Sequence, residues 1–464
     1  MTVATSGAPR RPRSRLPFNL RPDLGLGREV GFIFWAHLFC GAGFGLQTAL
    51  WTLFIDDLGA SPQQIGLVLG VTSGVRAILM LPAGALSDRI STRWMASSTM
   101  SLAAFGALAL VAADVWWHAL VGAILIDMSA LSMPSLAAHI TASTTQEQRT
   151  KAFAYTLNIA FTAPMIVFPA LAGWIASTAG FGVVFTLAAV LYGTSAAMFL
   201  GLRATPTHVD ATSVQEAGAL VVLHADGSSS TAPVSTARGT YRGLFREPWV
   251  MYMLMYQLMV AAVLWLGFQL VSNYLVDEHD YSLSSIGSIA SLAAVAGLSW
   301  GLLAGHWKPL SNPMRAMTVT LAFAGISSLL FLSSGWLPVV AVAWMLRSCF
   351  ANIWAMMAAA LSEVTPQRLR ARSFAAAEIS IGVGDAAAPL GAGMLYAFDR
   401  RLPMVATLLA TPPMLLAAFI AARRHAANRA AAHAALIAAP LPEPVALAMS
   451  QAVPSDQHDE GAAP

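Results

Sequence analysis

Long apolar runs dominate the sequence and limit what it can fold into. Between Val30 and Ala422, runs of about 18 to 25 residues recur, each long enough to cross a hydrocarbon core about 30 Å thick as a helix. Only 11% of the residues are charged, whereas soluble proteins carry about 25%. The chain is therefore predicted to be an all-α polytopic membrane protein, and a water-soluble globular protein is excluded.

Short polar segments divide the apolar part of the chain into twelve predicted spans. These cover residues 30–54, 64–86, 94–112, 118–138, 153–173, 180–200, 249–273, 284–304, 315–333, 337–360, 374–396 and 403–422. A polar stretch rich in Thr, Ser, Gly and Pro separates the first six spans from the last six and is predicted to be a cytoplasmic linker.

The spans and the polar segments give a predicted domain organisation. It consists of a cytoplasmic N-terminal tail at 1–29, a six-helix half at 30–202, the linker at 203–247, a second six-helix half at 248–422 and a cytoplasmic, largely disordered tail at 423–464. The alternative for the early part of this tail, 421–439, is a short interfacial helix.

The basic residues predict the orientation. If the N-terminus is cytoplasmic, 22 of the 26 Lys and Arg residues flank the cytoplasmic face, two lie outside, and Arg76 and Arg347 fall within spans. The positive-inside rule then places both termini in the cytoplasm. The first apolar run is too long for a signal-peptide core and is expected to be retained as a span. Composition and the lack of an organelle signal indicate a prokaryotic inner membrane.

An internal repeat relates the two groups of six spans. An offset of 221 residues aligns Ile65 and Gly66 with Ile286 and Gly287, and it also aligns 81–84 with 302–305 and 144–153 with 365–374. A single shift that fits three separate places indicates homologous halves. Because each half has an even number of spans, both halves have the same orientation in the membrane, an arrangement found in alternating-access carriers.

The loop after the second span resembles the signature loop of the major facilitator superfamily. The matching residues are Gly84, Leu86, Ser87, Asp88, Arg89 and Arg93. Ser91 replaces the usual Gly, and Thr92 replaces a usual basic residue. The segments 144–153 and 365–374 also resemble the link that precedes the fifth and eleventh helices of this family. The resemblance covers about residues 30–422 and implies a twelve-helix carrier with two homologous halves around a central cavity.

The resemblance also implies a gating role for the signature loop, including Gly84, Arg89 and Arg93. Asp88 would cap the positive N-terminus of span 11, which begins near Ser373. That contact would hold the halves together in the outward-facing state and release them when the carrier opens inward.

Ionisable side chains inside the spans are functional candidates, because charge there costs at least about 2.5 kcal/mol. The candidates for proton coupling are His37, Asp127, Glu378 and Asp385. Counting along the spans puts Asp127 and Arg347 at similar depths on spans 4 and 10. In the family fold both spans line the cavity, so Asp127 and Arg347 are predicted to face each other. Asp127 would titrate, and Arg347 would hold an anionic substrate or stabilise ionised Asp127.

Arg76 on span 2 and Asp385 on span 11 would be neighbours in the family fold. They are predicted to form an interhelical salt bridge with a structural or gating role, and coupling by Asp385 is the alternative. For His37 the alternative to proton coupling is packing between helices.

Aromatic and amide side chains on spans 1, 7 and 10 provide candidates for substrate binding together with Arg347. They are Gln47, Trp51, Gln257, Trp265, Gln269, Asn352 and Trp354. A cavity with few polar groups and many aromatic rings favours an amphiphilic organic molecule over a sugar. The alternative is that these rings face lipid or pack between helices.

The expected function is secondary transport by alternating access, with proton-coupled efflux of amphiphilic small molecules preferred. The alternatives are proton-linked uptake of an organic anion or another metabolite, and a carrier-like sensor that no longer transports. Span 4 lacks the Arg of the drug/proton antiporters, and span 5 lacks their glycine-flanked proline motif, which weakens the antiporter assignment. No phosphate-binding loop, metal cluster, cofactor motif, nucleophile motif or nucleic-acid surface is recognisable, so an enzyme is not expected. The expected partners are a small-molecule substrate, protons and the lipid bilayer, and the protein is expected to act as a monomer.

Overall fold

The computed structural model describes residues 24–87, 89–203, 222–223, 229–230, 241–307, 310, 312–365 and 369–438. The helices of the N-terminal half are α1 (Arg28–Thr48), α2 (Trp51–Asp57), α3 (Pro62–Ser87), α4 (Thr92–Val111), α5 (Trp116–Asp127), α6 (Met133–Ser143), α7 (Gln146–Phe153), α8 (Ala160–Thr162), α9 (Phe168–Ala179) and α10 (Phe181–Phe199). Two 3-10 segments (Met128–Ser132 and Ala163–Ile166) and one π-helical segment (Ala154–Ile159) connect some of them.

The C-terminal half has a similar arrangement. A short helix, α11 (Tyr241–Leu244), precedes α12 (Pro248–Phe268), α13 (Val271–His279), α14 (Leu283–His306), α15 (Pro313–Ser333), α16 (Leu337–Ser348), a 3-10 turn (Cys349–Asn352), α17 (Ile353–Val364), α18 (Arg370–Phe398) and α19 (Leu402–Ala438). Between the halves, two short strands, β1 (Val222–Leu223) and β2 (Ser229–Ser230), pair antiparallel with Val222 opposite Ser230.

Helical segments occupy all twelve predicted spans. Within the described ranges, ten helices are long and apolar enough to cross a membrane, and the bent pair Glu147–Ile166 and Phe168–Ala179 makes an eleventh. The tenth predicted span consists of α16, the 3-10 turn and α17 in succession. The all-α polytopic fold predicted from the sequence is therefore confirmed.

Local signals explain several helix boundaries. Ser282 caps α14 by accepting a hydrogen bond from the Ser285 backbone N–H. Asn312 caps α15 in the same way and is followed by proline at the first helical position. Gly180 links α9 to α10 with a φ of 84°, a conformation that favours glycine.

Repeat-related breaks interrupt the first helix of each half. The first helix breaks at Ala49 and Leu50, between α1 and α2, and the seventh breaks at Gln269 and Leu270, between α12 and α13. These positions agree with the 221-residue offset to within one residue. The duplication inferred from the sequence therefore extends to the shape of individual helices.

The halves pack together mainly along two pairs of helices, α3 with α18 and α9 with α14. Gly66 of α3 approaches the backbone carbonyl of Pro389, and Gly287 of α14 approaches that of Pro169, so closely that a Cβ atom would not fit at either glycine. Glycine at these positions lets the helix backbones pack directly on each other.

These close contacts lie at one end of the bundle, which we call the distal end. It carries the turns at 58–61, 112–115, 180, 280–282, 334–336 and 399–401. The Ser272 hydroxyl donates to the Ala49 carbonyl over 2.9 Å, which adds a hydrogen bond between the halves at the same end. The distal end is therefore closed.

The chain divides into two compact units, residues 1–414 and residues 415–464. The core of the first unit includes Ile33 and Leu46 of α1 and Phe185 and Tyr192 of α10, all essentially inaccessible. The predicted end of the last span near Ala422 falls inside α19, which continues to Ala438. Alanine, the best helix former, is frequent in this extension.

Candidate functional site

Three charged side chains from three helices form a cluster, which we call the central charge cluster. Arg76 of α3 lies 3.2 Å from the carboxylate of Asp385 of α18 and 3.7 Å from that of Asp127 of α5. The side chains of Arg76, Asp127 and Asp385 are 34%, 24% and 12% exposed. The predicted bridge between Arg76 and Asp385 is present, and it joins the two halves.

Small residues bring α3 and α18 close enough for this bridge. A Cβ atom on Gly382 would lie 2.8 Å from the Ala77 Cβ, and one on Gly70 would lie 2.7 Å from the Ala386 carbonyl oxygen. Since the helix backbones are so close, the short Asp385 side chain reaches the Arg76 guanidinium. Asp127 ends α5, where a 3-10 turn begins, and approaches the same guanidinium from within the N-terminal half.

The central charge cluster contains more acid than base. One guanidinium faces two carboxylates, and the exposed Glu378 also interacts electrostatically with Arg76. Unbalanced charge inside a membrane is unfavourable. The charge of Arg76 is balanced when either Asp127 or Asp385 carries a proton and the other carboxylate stays paired with Arg76.

Arg347 of α16 differs from its predicted position. The sequence predicts that it faces Asp127, whereas in the structure Arg76 takes that carboxylate. Arg347 is 3% exposed, its guanidinium carbon lies 4.4 Å from the Phe268 ring centroid, and its Nη2 donates to the Leu264 carbonyl. Depth along a helix can be counted from sequence, but the direction in which a side chain points depends on helix packing, which explains the difference.

Arg347 is also a buried cation without an acidic partner. Its guanidinium carbon lies 5.7 Å from the Phe350 ring centroid, and the described residues provide no hydrogen-bond partner for its buried Nε and no carboxylate within 4.0 Å. Aromatic faces attract a cation but do not neutralise its charge. The arrangement therefore leaves a positive site with an unused donor.

Trp265 of α12 lies between the two charged sites. Its ring makes an edge contact with Phe350 at 5.8 Å, and its indole interacts with the Asp385 carboxyl group. Trp265 Nε1 and Asp385 Oδ1 are both buried and have no hydrogen-bond partner within the described residues. Trp354 contacts the opposite side of this region through Phe350, at 5.5 Å. Of the predicted substrate-binding residues, the structure thus brings Arg347, Trp265 and Trp354 together.

The other predicted substrate residues of the C-terminal half have separate environments. Asn352 donates to the Gly297 carbonyl over 2.9 Å and so links the tenth helix to α14. Gln257 is 1% exposed, and its Oε1 has no partner within the described part of the chain. Gln269 follows α12 at the break in the seventh helix.

The predicted candidates on the first helix pack within the N-terminal half. The Gln47 amide donates to the Tyr192 hydroxyl over 3.0 Å, and Trp51 contacts the rings of Phe54 and Phe185. These contacts agree with the alternative prediction that such side chains pack between helices.

His37 also lies within the N-terminal half, where its Nδ1 is 2.9 Å from the Thr156 carbonyl. Its ring meets Phe199 edge-on at 5.7 Å. With 1% exposure, His37 has the surroundings of a packing residue.

Sequence reasoning missed Phe268 and Phe350, the rings nearest Arg347. Phe350 is three residues from Arg347 and belongs to the same helix region, so helical spacing could have identified it. Phe268 comes from a different helix, and no local signal connects it with Arg347.

Comparison with known proteins identifies the family. The family model described as Major Facilitator Superfamily matches residues 33–345. The chain belongs to this superfamily. No curated protein matches the sequence closely enough to count as a relative.

Solved structures of this superfamily share the fold. A mutant of the nucleoside transporter NupG has a TM-score of 0.67 at 13% identity, covering 85% of this chain and 99% of its own. A bacterial homologue of the human lysosomal transporter Spinster has a TM-score of 0.63 at 14% identity, with 85% and 96% coverage. The human organic anion transporter MFSD10 has a TM-score of 0.57 at 14% identity, with 85% and 98% coverage.

Family membership and these neighbours indicate a transporter, not an enzyme. The part of the chain that the structure describes contains no group of three or more His, Cys, Asp or Glu residues suited to a metal ion. The two cysteines, Cys40 and Cys349, are buried and free.

The superfamily's signature loop is only partly described. Asp88, the predicted gating residue, lies outside the described residues. Gly84 is within α3, and Arg89 occupies an exposed turn in which its N–H donates to the Leu86 carbonyl over 3.0 Å. The Arg93 guanidinium lies over the neighbouring Trp94 ring, 5.0 Å from its centroid.

Proposed function

We propose that this transporter exports amphiphilic small molecules in exchange for protons. The observation that carries the proposal is the shared use of Arg76 by Asp127 and Asp385. Asp127 belongs to the N-terminal half and Asp385 to the C-terminal half. A change in protonation within the cluster therefore alters a contact between the halves. That is the physical requirement for coupling a proton to alternating access.

Asp127 is the proposed proton carrier. Its contact with Arg76 is longer than that of Asp385, and its side chain is twice as exposed. When Asp127 is protonated, Arg76 pairs with Asp385 alone and strengthens the bridge between α3 and α18. When Asp127 loses its proton, it competes for Arg76 and weakens that bridge.

The residues around Arg347 support an amphiphilic substrate. Trp265, Phe268, Phe350 and Trp354 supply aromatic surface, whereas few of the described polar groups in this region lack a hydrogen-bond partner. Such a site binds apolar rings well and has little to offer a densely hydroxylated molecule. Amphiphilic compounds also enter cells through the bilayer unaided, so a carrier is needed mainly for their removal.

The proposed setting is a prokaryotic inner membrane, with both termini in the cytoplasm and the distal end facing outward. The distribution of 22 of the 26 basic residues supports this orientation. A monomer suffices, because both halves of the proposed pathway come from one chain.

The test is a proton-flux assay in everted membrane vesicles energised acid inside. Lipophilic cations, amphiphilic drugs and organic acids are added outside, and the wild type is compared with Asp127→Asn. We expect substrate-triggered proton release from the wild type and its loss from Asp127→Asn with substrate binding retained. Glu378→Gln is the matched control, because it removes an exposed acid that also acts on Arg76. Equal proton release from wild type and Asp127→Asn would overturn the proposed role of Asp127.

A second candidate is proton-linked uptake of an organic anion. It is favoured by the buried guanidinium of Arg347, which lacks a carboxylate partner among the described residues. A substrate carboxylate could use its free Nε. Accumulation of an organic acid by right-side-out vesicles, abolished by Arg347→Gln, together with silence in the efflux assay, would favour uptake over export.

A further inference from the structure

The acidic ends of the first and seventh helices are related by the internal repeat. Asp56 and Asp57 end α2, and the 221-residue offset maps them onto Asp277 and Glu278 of α13. Each half therefore carries two adjacent acids on the short helix that follows the break in its first helix. All four lie at the closed distal end.

The two short helices contact each other across the boundary between the halves. Ser272 at the start of α13 donates to the Ala49 carbonyl over 2.9 Å, and Asn273 donates to the Thr52 carbonyl over 3.5 Å. The backbone carbonyl freed by the break in the first helix is thus satisfied by the other half. This packing holds Asp56 near Asp277, with which it interacts electrostatically.

Within the described parts of the chain, only the C-terminal pair of acids has basic partners within 4.0 Å. Arg400 lies 3.6 Å from Asp277 and 3.8 Å from Glu278, and Arg401 lies 3.7 Å from Glu278. The Tyr396 hydroxyl of α18 donates to Asp277 over 2.7 Å. Asp277 and Glu278 thus have two arginine neighbours, and Asp277 also accepts a hydrogen bond from Tyr396.

The N-terminal pair has no equivalent support. The positions related to Arg400 and Arg401 by the repeat are Ala179 and Gly180. Among the described residues, no basic side chain lies within 4.0 Å of Asp56 or Asp57. The repeat therefore relates the acids of the two halves but not the bases, and Asp56 interacts with the carboxyl group of Asp277 without a basic partner of its own among the described residues.

The groups that act on Asp56 come from several elements. They are Asp277 of α13, Asp57 of its own helix and Tyr396 of α18. Three further helices pack against α2: α3 begins with uncharged residues, α5 carries His118 in its first turn, and α10, whose Phe181 and Phe185 contact Phe54, has no charged residue. Repulsion from the neighbouring carboxylates is thus the main charge effect at Asp56.

We propose that Asp56 and Asp277 form an acid-sensitive latch at the distal end. A proton bound to Asp56 favours contact between α2 and α13, and its loss favours their separation. Asp56 remains accessible to solvent, so it can exchange protons with the medium. The latch is distinct from the central charge cluster, and it acts on closure whether or not Asp127 carries the transported proton.

The direction of the pH effect follows from linkage. Partial burial at this interface raises the pKa of Asp56, and the carboxylates of Asp277 and Asp57 raise it further. Separation of α2 from α13 removes the influence of Asp277, so the closed state binds the proton more tightly than the open state. Closure is therefore favoured at acid pH and lost as pH rises through the raised pKa of Asp56, above the usual value of about 3.9.

The test measures the opening of the distal end directly. Spin labels at Ala112→Cys and Ser333→Cys, exposed positions in opposite halves, report the distance in lipid nanodiscs at pH 4 and pH 8. The buried native residues Cys40 and Cys349 are replaced by alanine in this background. We expect the distance distribution to shift from short to long as the pH rises.

Variants assign the shift to the latch. Asp56→Asn, which resembles the protonated acid, is expected to keep the short distance at both pH values, and Asp56→Glu is expected to restore the shift. All of these are compared in an Asp127→Asn background, which removes the response of the central charge cluster to pH, and in that background Asp57→Asn should retain the shift at a somewhat lower pH because one repelling carboxylate is gone. A full pH-dependent shift in Asp56→Asn, or its loss in Asp57→Asn, would overturn the proposal. Asp56→Ser provides a second neutral variant if Asp56→Asn does not fold.

Discussion

Gly66 and Gly287 occupy equivalent positions in the two halves, and each packs against the backbone carbonyl of a proline in the opposite half. Gly66 meets Pro389, and Gly287 meets Pro169. These two contacts join the halves at the distal end through the backbones of four helices. Closure of that end therefore depends on the lack of a side chain at both glycines, which lets the helix backbones touch.

Alanine at either glycine should prevent full closure of the distal end. In Gly66→Ala and Gly287→Ala, the new methyl group would overlap a backbone carbonyl that cannot move aside, and overpacking of this kind costs about 1 to 3 kcal/mol. We expect a larger distal label distance at acid pH than in the wild type. Gly193→Ala is the control, because it adds a methyl group to a helix where no atom lies within 4 Å. An unchanged distance in Gly66→Ala and Gly287→Ala would contradict the prediction.

Removal of the buried charge of Arg347 should separate stability from function. A buried charge without an oppositely charged partner carries a desolvation cost that no ion pair offsets, so its replacement by an apolar side chain removes that cost. Arg347→Leu is therefore expected to keep the wild-type Tm or exceed it, while substrate transport falls by about tenfold, equivalent to about 1.4 kcal/mol of binding. Thermal unfolding and vesicle transport provide the two measurements.

Arg315→Leu, which removes an exposed arginine at the start of α15, is the control for Arg347→Leu. A large drop in Tm specific to Arg347→Leu would indicate that the hydrogen bond to Leu264 stabilises the fold instead.

A double-mutant cycle should detect the bridge between the halves at Arg76 and Asp385. Arg76 is 34% exposed, so we expect a coupling energy of only about 1 kcal/mol in unfolding experiments. Asp385→Asn should be tolerated better than Arg76→Gln, since loss of the base leaves two carboxylates without a cation. The double variant should regain part of the stability lost in Arg76→Gln. Strictly additive effects would indicate that the 3.2 Å contact contributes nothing measurable.

Substitution of His37 should leave proton coupling intact. Its surroundings are a backbone carbonyl and an aromatic ring, and none of its contacts reaches the central charge cluster. His37→Asn is expected to lower Tm through poorer packing while the pH dependence of transport stays as in the wild type. A pH profile displaced in His37→Asn as in Asp127→Asn would restore His37 as a coupling residue.

The sequence was sufficient for features that depend on position along a single helix. Hydrophobic length located the spans, and the 221-residue offset showed the duplication. The bridge between Arg76 and Asp385 was predicted because family resemblance supplied the adjacency of their helices. The partner of Asp127 was predicted wrongly, since two bases at similar depth cannot be distinguished without the rotation of each helix about its axis.

By itself the sequence determined that the chain is an all-α polytopic membrane protein, because apolar length sets which segments can form membrane helices. It also predicted the relation of the halves and the depth of each charge, from the repeat and from the rise per residue. The tertiary structure decided which charges meet. In the structure Asp127 pairs with Arg76, and Arg347 contacts the rings of Phe268 and Phe350. Asp56 interacts with Asp277 of the other half. The rotation of each helix about its axis and the distance between neighbouring helices depend on small residues such as Gly66 and Gly382, which let particular helix faces approach. Such packing joins segments that are distant in the sequence, so no local sequence pattern encodes it.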